Sequence, residues 1–280
     1  MICAAAQAGS PIVLLERKVP QFREAAAGAM TLVTGAEVDV GDADAPARLS
    51  QASVVIAIGQ KAFQFALEKV PKTAIVFCLT LGVARSQLSD TITGVPFEPD
   101  PLTTVATIQE VVPTAKRIGM IYNPSVSEWF AAEALRAAKA AGLVLVTRSA
   151  ATPQEARDVA QGLIQGSDVL WLPPDPKLFP KDLVVYLLSV SAERSLPVIG
   201  FLDSMAQAGA LASLSTDFGG AGRQAGKLAA ETLSRPEGQR VLVPAPAWAP
   251  GKLTLNLKTA EALHIQPTAA AVNQASQVLK

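Results

Sequence analysis

Short runs of consecutive apolar residues, many of them β-branched, alternate along this chain with longer stretches in which apolar positions recur every three or four residues. Unbroken apolar runs fit strands covered on both faces, and the longer periodic stretches fit helices laid over those faces. Pro11 to Leu15, Ser53 to Ile58 and Thr73 to Cys78 predict strands, with a weaker one over Glu37 to Val40. Between them Gln21 to Val33, a stretch near Ala43 to Gln51, and Gln60 to Lys69 predict helices. That is one doubly wound α/β array.

The alternation then starts again. Pro101 to Val112 predicts a helix, since proline suits a first helical turn, and Arg117 to Tyr122 predicts a strand. Ser127 to Ala141 is an Ala-rich helix stopped by Gly142. Strands over Leu143 to Thr147, Asp168 to Leu172 and Pro197 to Phe201 are interleaved with helices over Pro153 to Gln165 and Lys181 to Ser195. Ala210 to Leu214 is expected to complete a second parallel sheet. A helix over Gly219 to Leu233 and a strand over Arg240 to Val243 follow. The expected class is therefore α/β, with two Rossmann-like lobes and no Pro-, Gly- or Ser-rich tether between them.

Composition narrows the function. Half of the 280 residues are hydrophobic, 17% are charged and only 5% are aromatic, so Ala, Val and Leu supply the core. Lys plus Arg and Asp plus Glu balance at 24 each, so no net charge draws nucleic acid or an anionic membrane. No apolar run reaches the ~18 residues of a membrane span. Cys3 and Cys78 are too differently placed for a disulfide framework or a metal-binding CxxC, and Cys78 reads as a buried thiol. Ala6, Gln7 and Ala8 fit the small-x-small pattern before a signal-peptidase cut. Residues 1–10 therefore read as the remnant of an export signal, with a frayed Ala-rich start as the alternative.

Three segments carry a resemblance. Tyr122, Asn123, Pro124 and Ser125 follow a strand. Gly209 to Ser213 lead through Asp217 to Gly222, Arg223, Gln224, Ala225 and Gly226. Leu255 to Leu263 are followed by Ile265 and Pro267. In their joint order and spacing, from about residue 11 to the C-terminus, they resemble substrate-binding components of ABC-type importers. The family is the one whose better-known members are similar to tryptophan- and tyrosine-binding proteins. The resemblance implies the type I periplasmic binding fold, with three crossovers falling near Gly94 to Phe97, Ser215 to Asp217 and Pro244 to Pro250. The lobes would be residues 11–96 with 217–245, and 97–216 with 246–280. It also implies a monomeric periplasmic protein that hands a small ligand, an amino acid or another small organic molecule, to a membrane permease. No cofactor and no metal are expected.

In parallel α/β sheets, ligands meet the loops at the carboxyl ends of the strands, where helix N-termini favour anionic groups. This selects Glu16, Gln60, Lys61, Thr80, Tyr122, Asn123, Ser125, Ser127, Asp175, Phe201, Asp203 and Asp217 as candidate ligand-binding residues. By the resemblance, the loop from Asn123 to Ser127 would hold a ligand carboxylate. Each candidate has a plainer reading. Ser125 or Ser127 could cap the next helix, and Asp217 could cap the Gly219 and Gly220 amides. Asp175 and Asp203 could be ligand-binding, catalytic or merely solvated. Phe22, Phe97, Phe201 and Trp129 could stack on a ring or pack in the core, whereas Trp171 reads as core. Leu81, Pro173 and Leu178 stand where the family is commonly more polar, which keeps open an apolar or lipid-like ligand for transport or sensing.

Catalysis is disfavoured. The single histidine, His264, ends a C-terminal helix away from every strand-end loop, so no Ser-His-Asp or Cys-His arrangement forms there. There is no P-loop and no HExxH, and Gly219 to Gly226 do not match the spacing of a dinucleotide loop. The chain reads as a binding protein rather than an enzyme, a carboxylate-only enzyme being the remaining alternative on this fold.

Overall fold

The structure is a computed structural model that describes residues 9–236, 242 and 247–280. The export pattern and Cys3 lie outside the described residues, and of the strand expected over Arg240 to Val243 only Leu242 is described. The chain forms two compact units, Met1–Phe97 with Asp217–Ala249, and Glu98–Thr216 with Pro250–Lys280. It passes from one to the other three times.

The first unit runs β1 (Ile12–Leu15), α1 (Pro20–Met30), β2 (Ala36–Asp39), α2 (Ala45–Leu49), β3 (Val54–Ile58), α3 (Gln60–Lys69), β4 (Ala74–Thr80) and β5 (Ile92–Pro96). Its sheet is wholly parallel in the order β2-β1-β3-β4-β5. Strands β1, β3 and β4 are buried along their whole length, which is why their sequences are unbroken apolar runs. Edge strand β2 buries only Val38, so its signal is weak. The other edge, β5, has no counterpart in the sequence reading, because Gly94 and Pro96 both argue against a strand. Gly94 is needed for close approach to β4, as a Cβ there would lie 2.1 Å from the Phe77 carbonyl oxygen. Pro96 is tolerated as the last residue of an edge strand. The segment expected as a crossover near Gly94 to Phe97 is thus mostly strand.

Helix α9 (Phe218–Leu233) brings the chain back to this unit, packing on α1 and on β3, β4 and β5. The α1–α9 contact is made by backbones. A Cβ on Gly28 would sit 2.3 Å from the Gly219 oxygen, one on Gly222 1.9 Å from the Ala25 oxygen, and one on Gly226 2.6 Å from the Ala29 oxygen. Ala25, Ala26, Ala29, Ala221, Ala225 and Ala229 fill the rest of the seam and are buried. Small residues on both helices let two backbones share dispersion contacts that side chains would otherwise make.

The second unit runs α4 (Pro101–Val111), β6 (Arg117–Tyr122), α5 (Pro124–Ala140), β7 (Val144–Ser149), α6 (Pro153–Gln165), β8 (Val169–Trp171), α7 (Lys181–Ala192), β9 (Val198–Gly200), α8 (Asp203–Gln207) and β10 (Ala212–Thr216). After the excursion through α9 it ends with β11 (Gly251–Asn256), α10 (Leu257–Ala262), α11 (Ala269–Gln274) and β12 (Gln277–Leu279). The sheet order is β12-β11-β10-β9-β8-β6-β7. The expectation of a second parallel sheet completed by the strand ending at Leu214 is corrected here. β11 lies antiparallel to β10, Thr216 pairing with Gly251 and Ala212 with Leu255. The chain leaves β10 at its carboxyl end and re-enters at that same end, so β11 must run the other way. Asn256 then fixes the C-terminal segment, its amide donating to the Ala206 carbonyl at 2.8 Å and its oxygen accepting from Thr259 N–H.

Gly222→Ala is expected to lower the unfolding free energy by about 1–3 kcal/mol or more, because the clash is with backbone. Gly162→Ala, in α6 with nothing within 4 Å of the added Cβ, is expected to raise it by ~0.5–1 kcal/mol. Paired urea unfolding curves check both signs.

Candidate functional site

In the first unit the strand-end residues are mostly engaged with each other. Glu16, just past β1, accepts from Lys61 Nζ at 2.8 Å in the first turn of α3, and this bond and the carboxylate charge raise the Lys61 pKa. Gln60 opens α3 and is exposed. The first-turn amides of Gln60, Lys61 and Ala62 have no acceptor among the described residues. Thr80 is buried at the end of β4, with its hydroxyl 3.5 Å from the Cys78 carbonyl. Burial pushes the Cys78 thiol well up. The Phe22 ring lies against Gly59, where a Cβ would be 2.5 Å from it, so Phe22 packs rather than stacks. Asp217 stands at the N-cap of α9 without a side-chain capping bond, paired with Arg223 at 3.5 Å. Its expected cap on Gly219 is replaced by Glu24, which reaches across from α1 and accepts that N–H at 3.3 Å.

In the second unit the turn between β6 and α5 is closed from within. The Asn123 side chain accepts from Ser125 N–H at 3.0 Å, and its carbonyl accepts from Val126 at 3.0 Å and Ser127 at 2.7 Å. Pro124 has no N–H to offer. Asn123, rather than Ser125 or Ser127, is therefore the cap, and no first-turn amide of α5 is left for a ligand carboxylate. Three side-chain donors remain: the Asn123 amide, the exposed Ser125 hydroxyl, and the Ser127 hydroxyl. Ser127 is 1% exposed and its Oγ has no partner among the described residues. Beside it, Tyr122 is half-buried, and desolvation, then the nearby Glu128, raises its phenol pKa.

Asp175 follows β8 and is 2% exposed. Its Oδ1 accepts from Lys177 N–H at 3.1 Å and Leu178 N–H at 3.0 Å, while its Oδ2 has no partner among the described residues. Because β6 and β8 are hydrogen-bonded neighbours, Ser127 and Asp175 follow the carboxyl ends of adjacent parallel strands. Phe201 is elsewhere, buried with its ring 6.2 Å from Phe179 in the core that also holds Leu178. The apolar residue at 178 thus fills the interior instead of lining a groove. Asp203 opens the short α8, and its Oδ1 accepts from Ser213 Oγ at 3.3 Å and Thr254 Oγ1 at 3.1 Å, tying α8 to β10 and β11.

Sequence reasoning passed over Glu98, the first residue of the second unit. It is 4% exposed, and its carboxyl pKa is pushed up to about 8, chiefly by desolvation. Its own backbone N–H opposes the shift and the negative charge of Asp175 adds to it. Among the described residues no Lys, Arg or His pairs with either acid. The available signal was an acid set between Phe97 and Pro99 in an otherwise apolar run. Among the described residues, no group of three or more His, Cys, Asp or Glu could hold a metal, and no helix is long and apolar enough to cross a membrane.

Comparison with known proteins places these features in context. The sequence profile described as ABC transporter substrate binding protein matches residues 45–279. A tyrosine-binding protein from Clostridioides difficile (strain R20291) is 29% identical over 170 residues, 60% of this chain. The match spans about half, 48%, of that relative's length. Among solved structures, an ABC domain from Streptococcus pneumonia in complex with L-Trp aligns with a TM-score of 0.63 at 20% identity, covering 96% of this chain and 100% of that one. The ligand-free, open form of a substrate binding protein with adhesive properties from Clostridium difficile gives 0.65 at 17% identity, covering 97% and 99%. These likenesses show the type I periplasmic binding protein fold.

The buried Glu98 carboxyl has a consequence for stability. In the native state it keeps its proton up to about pH 8, whereas its ordinary value is 4.5. Between those values the native state holds more protons than the unfolded one, so stability falls as pH rises. Its contribution is complete below pH 4.5 and gone above the folded pKa. Glu98→Gln should remove this slope, making the variant more stable than the native chain by roughly 3–5 kcal/mol at pH 8.5 relative to pH 4.5. Denaturant unfolding at several pH values reads the difference directly.

Proposed function

This chain belongs to the ABC transporter substrate-binding protein family, and we propose that it captures a small organic ligand on strand-end loops and delivers it to a membrane permease from the periplasm. The observation that carries this reading is the pair of buried, unpartnered polar atoms, Ser127 Oγ and Asp175 Oδ2, at the ends of adjacent strands. Buried polar groups are satisfied in the great majority of cases, and leaving one bare costs about 1–3 kcal/mol. Two such atoms following adjacent strands, in the region where α/β sheets meet ligands, are explained by a ligand that bonds both. Asn123, Ser125 and Tyr122 lie next to them. In the first unit, Gln60, Lys61, Thr80 and Asp217 are the corresponding strand-end candidates, with Lys61 paired to Glu16 and Asp217 to Arg223. Relatives described as tyrosine-binding, or solved with L-Trp, support an amino-acid-sized ligand. The site is built for capture rather than turnover, since the single histidine of the sequence follows α10, away from the strand ends.

Ser127→Ala separates this reading from a purely structural one. Calorimetric titration with L-tyrosine and L-tryptophan should show binding of at least one to the native chain. The variant should bind it about 5- to 150-fold more weakly. Its ligand-free melting temperature should stay level or rise, because a bare buried hydroxyl has gone. Native affinity in the variant would move the ligand away from the β6 and β8 loops.

A further inference from the structure

We propose that the second unit carries an accessory site, apart from the loops that follow β6 and β8, for a small neutral molecule rich in hydrogen-bond donors, such as a diol or a primary amide. The site is a cavity of about 80 Å³ walled by α4, β10, β11 and α11. Thr103, Thr104 and Thr107 of α4 form one wall, Leu214 and Leu253 of the sheet another, and Gln274 of α11 a third. Pro99, Asp100 and Gly251 complete it, so the cavity borders the points where the chain first enters this unit and where it re-enters. A single water needs roughly 10–15 Å³ of such space, so the cavity suits a molecule of roughly four to six non-hydrogen atoms.

The pointer to a ligand is Thr104. It is 3% exposed, yet its hydroxyl has no partner among the described residues. The other two threonines of this wall are satisfied. Thr103 Oγ1 donates to Asp100 Oδ2 at 2.8 Å, and Thr107 Oγ1 donates to the Thr103 carbonyl one turn back at 2.9 Å. Buried hydroxyls are bonded in the great majority of cases, and the cavity is where this one meets a partner.

The lining selects the class of molecule. Around the space, the lone pairs of Thr104, Thr107 and Asp100 outnumber the donors, which are the Thr104 hydroxyl and the Gln274 amide. A matching ligand therefore brings donors of its own. No Lys, Arg or His lines the cavity, so an anion would meet the Asp100 carboxylate with nothing to offset it. A cation gains little either. Asp100 caps α4, accepting the Leu102 N–H at 3.0 Å, and its charge is set against the positive end of that helix. A cation would give up its hydration for a carboxylate already engaged in this way. Pro99, Leu214 and Leu253 suit the carbon skeleton of a neutral guest.

Gly251 keeps the space open. A Cβ there would lie 3.5 Å from Pro99 Cβ and 3.6 Å from Leu214 Cδ2, ordinary contact distances, so a methyl group would fill part of the cavity without a clash.

The test uses the full chain with isotopically labelled Thr and Leu methyl groups, Thr104 being assigned by its loss in Thr104→Val. Ethylene glycol, acetamide, methylammonium and acetate are titrated in turn and read at each methyl by NMR. At least one of the two neutral probes should shift the Thr104, Leu214 and Leu253 methyls along a saturable curve, in the millimolar range that so few atoms allow. Both ions should bind at least tenfold more weakly. Gly251→Ala should weaken the neutral probe tenfold or more and Thr104→Val several-fold, whereas Ser127→Ala should leave it unchanged. Melting curves check that the variants fold. Thr104→Val keeps the shape of the side chain, and it decides the case if Gly251→Ala is unstable. Shifts that never saturate, or that persist unaltered in both cavity variants, mean that the cavity takes water only and overturn the site. An ion that binds as tightly as the neutral probes overturns the class of ligand.

Discussion

Two helices that approach until their backbones touch hold the first unit together. Gly28 on α1 and Gly222 and Gly226 on α9 leave no room for a Cβ, and alanines fill the remaining seam. The contact decides more than local packing. The sheet of the first unit needs α9 over β3, β4 and β5, and α9 lies far along the chain. The polypeptide must therefore leave this unit, build another, return, and leave again. The antiparallel entry of β11 is a direct result, because the chain comes back to the end of β10 from which it departed.

The strand-end loops show how a binding surface is defined by what is already satisfied. Glu16 and Lys61 hold each other, Asp203 ties three elements together, and Asn123 consumes the open donors of α5. Each looked in the sequence like a group waiting for a ligand. Once their partners are known, few of the strand-end candidates still have a bare buried atom, and in the second unit these are Ser127 and Asp175. The polarity of the loops is common to many α/β proteins, and specificity resides in this residue of unmet bonding.

The regular elements were legible where one force dominates. Helices Gln60–Lys69 and Pro153–Gln165 and strand Arg117–Tyr122 stand where periodicity puts them, because apolar spacing alone determines them. Legibility failed where tertiary context overrides local preference. β5 contains Gly94 and Pro96 and exists only because β4 offers it a ladder. β11 and β12 have no counterpart in the sequence reading, and only their pairing in the sheet reveals them. Among the site residues, position at a strand end was readable, but the partner of each side chain was not. Asn123 as cap and Phe201 as core depend on bonds and contacts that the sequence does not reveal. Glu98 was passed over although Phe97 and Pro99 flank it, because its burial is completed by the fold rather than by its neighbours in the chain.

The α1–α9 seam also sets an order of events in time. Gly219 meets Glu24 across 195 residues of chain, and closing a loop of that length costs roughly 4–5 kcal/mol in entropy before any contact repays it. Long-range closures of this kind are slow, whereas most strands of the second unit lie in one continuous stretch and can pair early. As the chain is synthesised, its first sheet emerges first and is completed late. Until α9 arrives, one face of β3, β4 and β5 is an uncovered apolar surface, so the sheet made first is the one that must wait for a segment made much later.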